Sequence, residues 1–196
     1  GRLSAGSVVL ASGAWTRGLG QTAGLDIPLP WVHGEAAITE QLPPVVHNAM
    51  LTASFFEETE GAEGQTVAFC LCQRPEGNTI LGEAAFVSDR LSRRMTSTAI
   101  PAIVAEARRR FPILNRTRIL RGWAIPVTFT PDNRPLLGPV PGLEGLIIAS
   151  GLKSTIILTP IVGELVADMV TGREMDPRLS EFAPLRSSAH DRGNGA

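Results

Sequence analysis

Gly151-Leu152-Lys153-Ser154-Thr155 stands between a short apolar run, Leu146-Ile147-Ile148-Ala149, and an apolar stretch from Thr155 to Val170. A buried strand, a glycine turn and a helix in that order leave the first N–H groups of the helix without intrahelical partners. That helix end carries about half a positive charge. It steadies an anion, or a group that turns electron-rich as it reacts. Lys153 adds a full charge there, and Ser154 and Thr155 add hydroxyl donors. A second junction of the same kind is Gly13-Ala14-Trp15, which follows Val8-Val9-Leu10-Ala11. Gly13 has no Cβ, so the backbone there can come close to a ligand. Strand–glycine–helix junctions occur in α/β proteins of many activities, so neither one names a reaction by itself.

Other polar residues offer less. His33 precedes Gly34 on a strand-like run and is a candidate for substrate contact, although a hydrogen-bonded structural histidine is the commoner role. His47 lies in a proline-bounded loop and His190 near the C-terminus, neither with visible partners. No Ser-His-Asp spacing with a nucleophile elbow occurs, and no convincing carboxylate pair, so hydrolysis has no support and no side chain is assigned as catalytic. Cys70 and Cys72 sit two apart, which on a strand points both to one face. Without a histidine cluster they make a poor metal site, and a disulfide at that spacing is strained. They are expected to be buried free thiols in a reducing, cytoplasmic compartment, with no metal bound.

The elements that must position these residues follow from pattern. Val8 to Ala11 is expected to be a strand buried on both faces, turning into a short helix near Thr16 to Ala23. From Ile27 the texture changes: prolines bracket a strand over Trp31 to Thr39, and further strands are expected at Val67 to Gln73 and Thr79 to Phe86. Gly61-Ala62-Glu63-Gly64 and Pro75-Glu76-Gly77-Asn78 serve as turns. Thr96 to Phe111 is the clearest helix, with Ile100, Ile103, Val104, Ala107 and Phe111 at helical spacing and Pro112 as its stop. Arg108, Arg109 and Arg110 suit the negative end of its dipole as a solvated last turn. A strand over Thr117 to Trp123 and a tight turn at Pro131-Asp132-Asn133 come next. The last helix begins at Thr159-Pro160 or nearer Ser154, with Ile161, Leu165, Val166, Met169 and Val170 as its inner stripe and Gly172 as its C-terminal cap. After Pro177 a loose tail is expected. Together these give an α/β (α+β) chain with a mixed or antiparallel sheet covered on one face.

The chain has 196 residues and a formal charge of −1, which gives no basis for electrostatic capture of nucleic acid or an anionic membrane. Pro160, Glu164 and Asp168 interrupt the longest apolar stretch, so no membrane span is expected. The first residue is Gly rather than Met and a strand begins almost at once, which suggests truncation or processing.

The order Trp123-Ala124, then Thr130-Pro131-Asp132-Asn133-Arg134-Pro135-Leu136-Leu137-Gly138-Pro139, then Leu146 to Thr155 and an apolar helix, resembles the D-amino-acid oxidase, glycine oxidase and sarcosine oxidase superfamily. Residues 7 to 16 resemble the last piece of its nucleotide-binding part, and Gly34 matches a glycine in one of its strands. The resemblance implies an incomplete FAD-binding Rossmann-like domain with a mixed-sheet substrate domain. Residues 1–27 would be a remnant of the FAD-binding domain, 28–118 the substrate domain, 119–175 the closing segment of the FAD-binding domain, and 176–196 a tail. It further implies FAD as cofactor, held by Gly13, Ala14, Trp15, Gly151, Leu152, Lys153, Ser154 and Thr155, with Lys153 and His33 toward substrate. The implied activity is oxidation of an amine or an amino or imino acid by hydride transfer to the flavin. The implied partners are a missing N-terminal FAD-binding half and a possible electron-accepting subunit. The competing expectation is a non-catalytic, partner-docking subunit.

The sequence departs from the family in three ways. No G-x-G-x-x-G follows a strand, so the usual cradle for the ADP half of FAD is not in this sequence. Val127 stands near the place of the arginine that clamps a substrate carboxylate. No histidine follows Gly151, and the segment to Pro160 is one residue short.

Overall fold

A computed structural model describes residues 1–52, 66–153 and 155–186. The turn expected at Gly61–Gly64, Ser154 and His190 lie outside the described residues. Contacts divide the chain into two units, Gly1–Pro30 with Thr128–Ala196, and Trp31–Val127. The crossings between these units fall at 30/31 and 127/128.

The first unit holds a three-stranded sheet in the order β1 (Val8–Leu10), β8 (Leu146–Ser150), β7 (Leu136–Pro139). β1 and β8 run parallel, with Leu10 opposite Ile148, while β7 and β8 run antiparallel, with Leu137 opposite Ala149. Ile27, Leu29, Leu136, Val140 and Ile148 form its core. β1 departs from the expected strand buried on both faces: Val8 is exposed and Val9 and Leu10 are half-buried. The reason is its position, since β1 ends the strand order and among the described residues pairs on one side only.

Helix α1 (Thr16–Thr22) follows a 3-10 turn over Gly13–Trp15. Helix α3 (Thr155–Thr171) begins at the earlier of the two expected starts and contains Pro160, which cannot donate a bond to the preceding turn. Gly172 adopts φ +70°, and the Arg173 N–H returns to the Asp168 carbonyl, so the expected glycine cap is present. α3 packs on β7 and β8, yet none of its residues is buried. Leu165, Val166 and Met169 are half-buried as the inner stripe requires. Ile161 and Val170 face outward instead.

Residues 177–186, expected to belong to a loose tail, are structured instead. Pro177–Phe182 is a 3-10 turn capped by Asp176, and Arg186 is tied to the Pro131 turn.

The second unit is built on a five-stranded sheet, in the order β3 (Met50–Leu51), β4 (Thr66–Gln73), β5 (Asn78–Ser88), β2 (Trp31–Gln41), β6 (Ile119–Thr128). β2 with β5 and β4 with β5 are antiparallel. Helix α2 (Ala99–Arg110) packs across β2, β4 and β5. Phe69, Leu71, Leu81 and Ala84 of the sheet meet Ala99, Ile103, Ala107 and Leu114 there, a one-sided cover of the kind alternation in β4 and β5 foreshadows. Arg109 and Arg110 bind Glu106 at 2.8 and 2.7 Å, which makes the arginine triplet a solvated last turn. Cys70 is half-buried and Cys72 is exposed, so only the first approaches the expected buried thiol; both are free. Cys72 is uncovered because α2 occupies the other face of β4.

Candidate functional site

The parallel register of β1 and β8 puts the C-terminal ends of both strands side by side. In open α/β sheets ligands bind at that edge. Leu10 lies opposite Ile148, so the chain just beyond each strand, Gly13 and Gly151, emerges at one place. Three hydroxyls lock the two turns together. Ser150 donates to Thr16 at 3.0 Å and reaches the Gly13 carbonyl at 3.4 Å, while Ser12 and Thr16 share a bond of 3.1 Å. Ser150 ends β8, Ser12 follows β1 and Thr16 opens α1. Their positions were visible in the sequence, but their mutual contact across 134 residues was not.

Gly13 and Gly151 both hold left-handed backbone, at φ +53° and +73°, where a side chain is strained. Their surroundings differ. A Cβ at Gly13 would meet nothing within 4 Å. One at Gly151 would press on Thr130 Cγ2 at 3.0 Å and Leu29 Cδ2 at 3.1 Å. Gly151 is thus packed from behind, and Gly13 opens onto free space. Trp15 is 50% exposed and Ala14 is buried. Leu152 and Lys153 are half-buried, and Thr155 is exposed and donates its hydroxyl to the Leu152 carbonyl at 2.8 Å. Ile156 and Ile157, in the first turn of α3, are 91% and 81% exposed. The first turn of α3 is therefore left open among the described residues.

Thr130, which backs Gly151, belongs to the turn that opens the Thr130–Pro139 segment. Its hydroxyl donates to the Arg134 carbonyl at 2.6 Å, and Asn133 takes φ +56°. Both Asp132 oxygens accept from Arg186, at 2.9 and 3.0 Å, and Oδ1 also accepts from the Arg134 N–H. Arg186 beside Asp132 holds its carboxyl down at about 2. Arg186 went unnoticed in the sequence because nothing near it repeats.

His33 lies in the second unit. It is 3% exposed, its Nε2 is 3.1 Å from Glu35 Oε1, and its ring leans on Phe86. Glu35 Oε1 also accepts from the Thr96 N–H at 2.9 Å, which pins the segment entering α2. Glu35 Oε2 is buried without a hydrogen-bond partner. The sequence signal for this pair is the spacing of two on a strand, which puts both side chains on one face. Among the described residues no group of three or more His, Cys, Asp or Glu could hold a metal ion, and no helix is long and apolar enough to cross a membrane.

Comparison with known proteins agrees with this geometry. Glycine oxidase of Geobacillus kaustophilus is 27% identical over 187 residues, covering 95% of this chain and 46% of its own length. Hydrogen cyanide synthase subunit HcnC of Pseudomonas protegens is 27% identical over 173 residues, covering 87% of this chain and 38% of its own. The chain thus spans about half the length, or less, of these relatives. The crystal structure of the Geobacillus kaustophilus glycine oxidase superposes with a TM-score of 0.81 at 24% identity, over 95% of this chain and 47% of that one, and so shares the fold. The family model described as FAD dependent oxidoreductase matches residues 1–169, and the chain belongs to that family.

Proposed function

We propose that this chain is the C-terminal portion of an enzyme that oxidises an amine, or an amino or imino acid, by hydride transfer to FAD. One geometric fact carries most weight. Two left-handed glycine turns converge at the C-terminal ends of parallel strands, beside the open first turn of an apolar helix. The flavin, when bound, supplies the hydride acceptor. The residues present fit its ring system. Gly13 leaves backbone bare, the half-exposed Trp15 offers a flat apolar surface, and the α3 N-terminus with Lys153 offers N–H donors and positive charge. Such a helix end holds negative charge with little reorganisation, which favours the transition state over the ground state.

Lys153 is the candidate for a substrate carboxylate, since Val127 stands where an arginine clamp would be. His33, buried against Phe86 and Glu35, fits a supporting role better than direct contact. The name of the glycine oxidase relative favours a small amino acid as substrate, and the relative named as a subunit favours assembly with a protein partner. An N-terminal FAD-binding half would cover the isoleucines that α3 leaves exposed.

The test is to titrate FAD into this chain alone, and then together with a separately produced N-terminal half of a glycine oxidase. Flavin fluorescence reports binding, and a redox dye reports turnover with glycine, sarcosine or proline. Flavin binding and amine-dependent dye reduction in the mixture are expected. A stable complex that holds no flavin and turns nothing over would instead make the chain a docking subunit.

A further inference from the structure

β4 and β5 carry Cys70 and Glu83 on the sheet face turned away from α2. Their neighbours fix this, because Phe69, Leu71 and Ala84 all belong to the core beneath α2 and side chains alternate along a strand. Gly34 sits between His33 and Glu35 on β2, and Glu35 reaches the segment entering α2, so Gly34 also belongs to the outer face. A side chain at Gly34 would begin 3.8 Å from the Ile125 carbonyl oxygen and 4.0 Å from Glu83 Oε2. A Cβ at Gly82 would meet Cys70 Sγ at 2.9 Å and Ala36 Cβ at 3.7 Å. The missing side chain at Gly34 therefore leaves a recess with two oxygens at its rim and small residues beside it.

Glu83 is half-buried and forms no hydrogen bond or ion pair with any described residue. Burial pushes its carboxyl above the usual range. Burial, and next the Glu83 charge, pushes the Cys70 thiol up to about 11. A carboxylate partly stripped of water, with no cation beside it among the described residues, is costly unless a ligand brings the charge.

We infer that Glu83 receives a small organic ammonium, a protonated primary or secondary amine, in the recess over Gly34, with the Ile125 carbonyl as second acceptor. A carbonyl oxygen has a second lone pair to offer even where the first is engaged in a ladder. A methyl-sized group over the bare Gly34 would make ordinary van der Waals contact with both oxygens. For the class of its ligand this site rests on the amine-oxidation reading, which it sharpens by naming the residue that selects an amine.

Sarcosine and glycine titrated into the full chain provide the test. N,N,N-trimethylglycine, which has no N–H, and acetate, which has no cation, serve as controls. The carbon-13 resonance of the Glu83 carboxyl and calorimetry report binding. Sarcosine and glycine are expected to move that resonance, and Glu83→Gln to weaken them about tenfold or more. Gly34→Val fills the recess and is expected to give the same loss with an unchanged circular dichroism spectrum. Amines that leave the Glu83 resonance still, or that bind Glu83→Gln as tightly as the parent, overturn the assignment. FAD titrated into the same mixtures with an N-terminal half separates the two ideas. Flavin binding without Glu83-dependent amine binding removes this site alone. Glu83-dependent amine binding without flavin removes the oxidase reading.

Discussion

The apolar surfaces of α2 and α3 meet different fates. α2 lays Ala99, Ile103 and Ala107 onto a five-stranded sheet and buries them almost fully. α3 is richer in isoleucine and leucine, yet it buries no residue and holds Ile156 and Ile157 out to solvent. Burial of an apolar side chain contributes about 1.5–3 kcal/mol, so α2 is held by its unit, whereas much of α3's apolar surface contributes nothing to stability as it stands. Apolar surface left open beside two glycine turns is what a ligand-binding edge requires. Apolar surface closed over a sheet is what a scaffold requires.

The sharpest way to break this contrast is to truncate one isoleucine on each helix. Ile103→Ala is expected to destabilise the Trp31–Val127 unit by about 2–5 kcal/mol, because it leaves a cavity under α2. Ile157→Ala should stay within about 0.5 kcal/mol. Urea melts of the two variants check this, and equal losses would show that α3 is as firmly packed as α2.

Glu35→Ala comes next in size. It strips the partner from His33 and from the Thr96 N–H, both in the scaffold unit, and a loss of about 1–3 kcal/mol is expected. Glu35→Gln keeps an acceptor and should recover part of it in the same melts.

The first unit has its own half-buried ion pair, which an acid titration reads. Asp132 is held at about 2 by Arg186, below its ordinary value of 3.8. A depressed carboxyl contributes stability that is present above its unfolded pKa and lost as pH falls through the folded one. The loss is therefore expected between about pH 4 and pH 2, and amounts to at most about 2 kcal/mol. Arg186→Ala should flatten that slope. An unchanged slope would place the acid sensitivity elsewhere.

A modest structural effect with the largest functional one is expected at Gly13→Ala. Its Cβ meets no neighbour, so only the left-handed backbone resists it, at about 1–2 kcal/mol. Flavin affinity in the mixture with an N-terminal half should fall several-fold all the same. Unchanged affinity would remove Gly13 from the proposed cofactor edge.

Local pattern made much of this legible. The strands around Val32, Phe69 and Leu81, the α2 stripe with its Pro112 stop and the Gly172 cap all follow from spacing and backbone preference within a few residues. The tight turn at Asp132 follows from the same causes. Where expectation and structure part, a distant neighbour is responsible. Val8 is exposed because β1 ends a strand order that no short window records. Ile161 and Val170 point outward because β7 and β8 select which side of α3 is covered. The two-residue β3 exists only by pairing with β4.

The sequence by itself determined the kinds of elements, the places where glycine frees the backbone, and the likeness of residues 118–172 to a flavin enzyme. Tertiary structure alone decided that Ser150 meets Thr16, that Thr130 backs Gly151, that Glu35 holds His33 and Thr96, and that the Glu83 carboxyl has no hydrogen-bond or ion-pair partner among the described residues. Periodicity and turn chemistry act over one or two turns of chain, so a sequence records them directly. Contacts between residues a hundred positions apart depend on which ladders close and which faces are covered, and spacing along the chain does not carry that information.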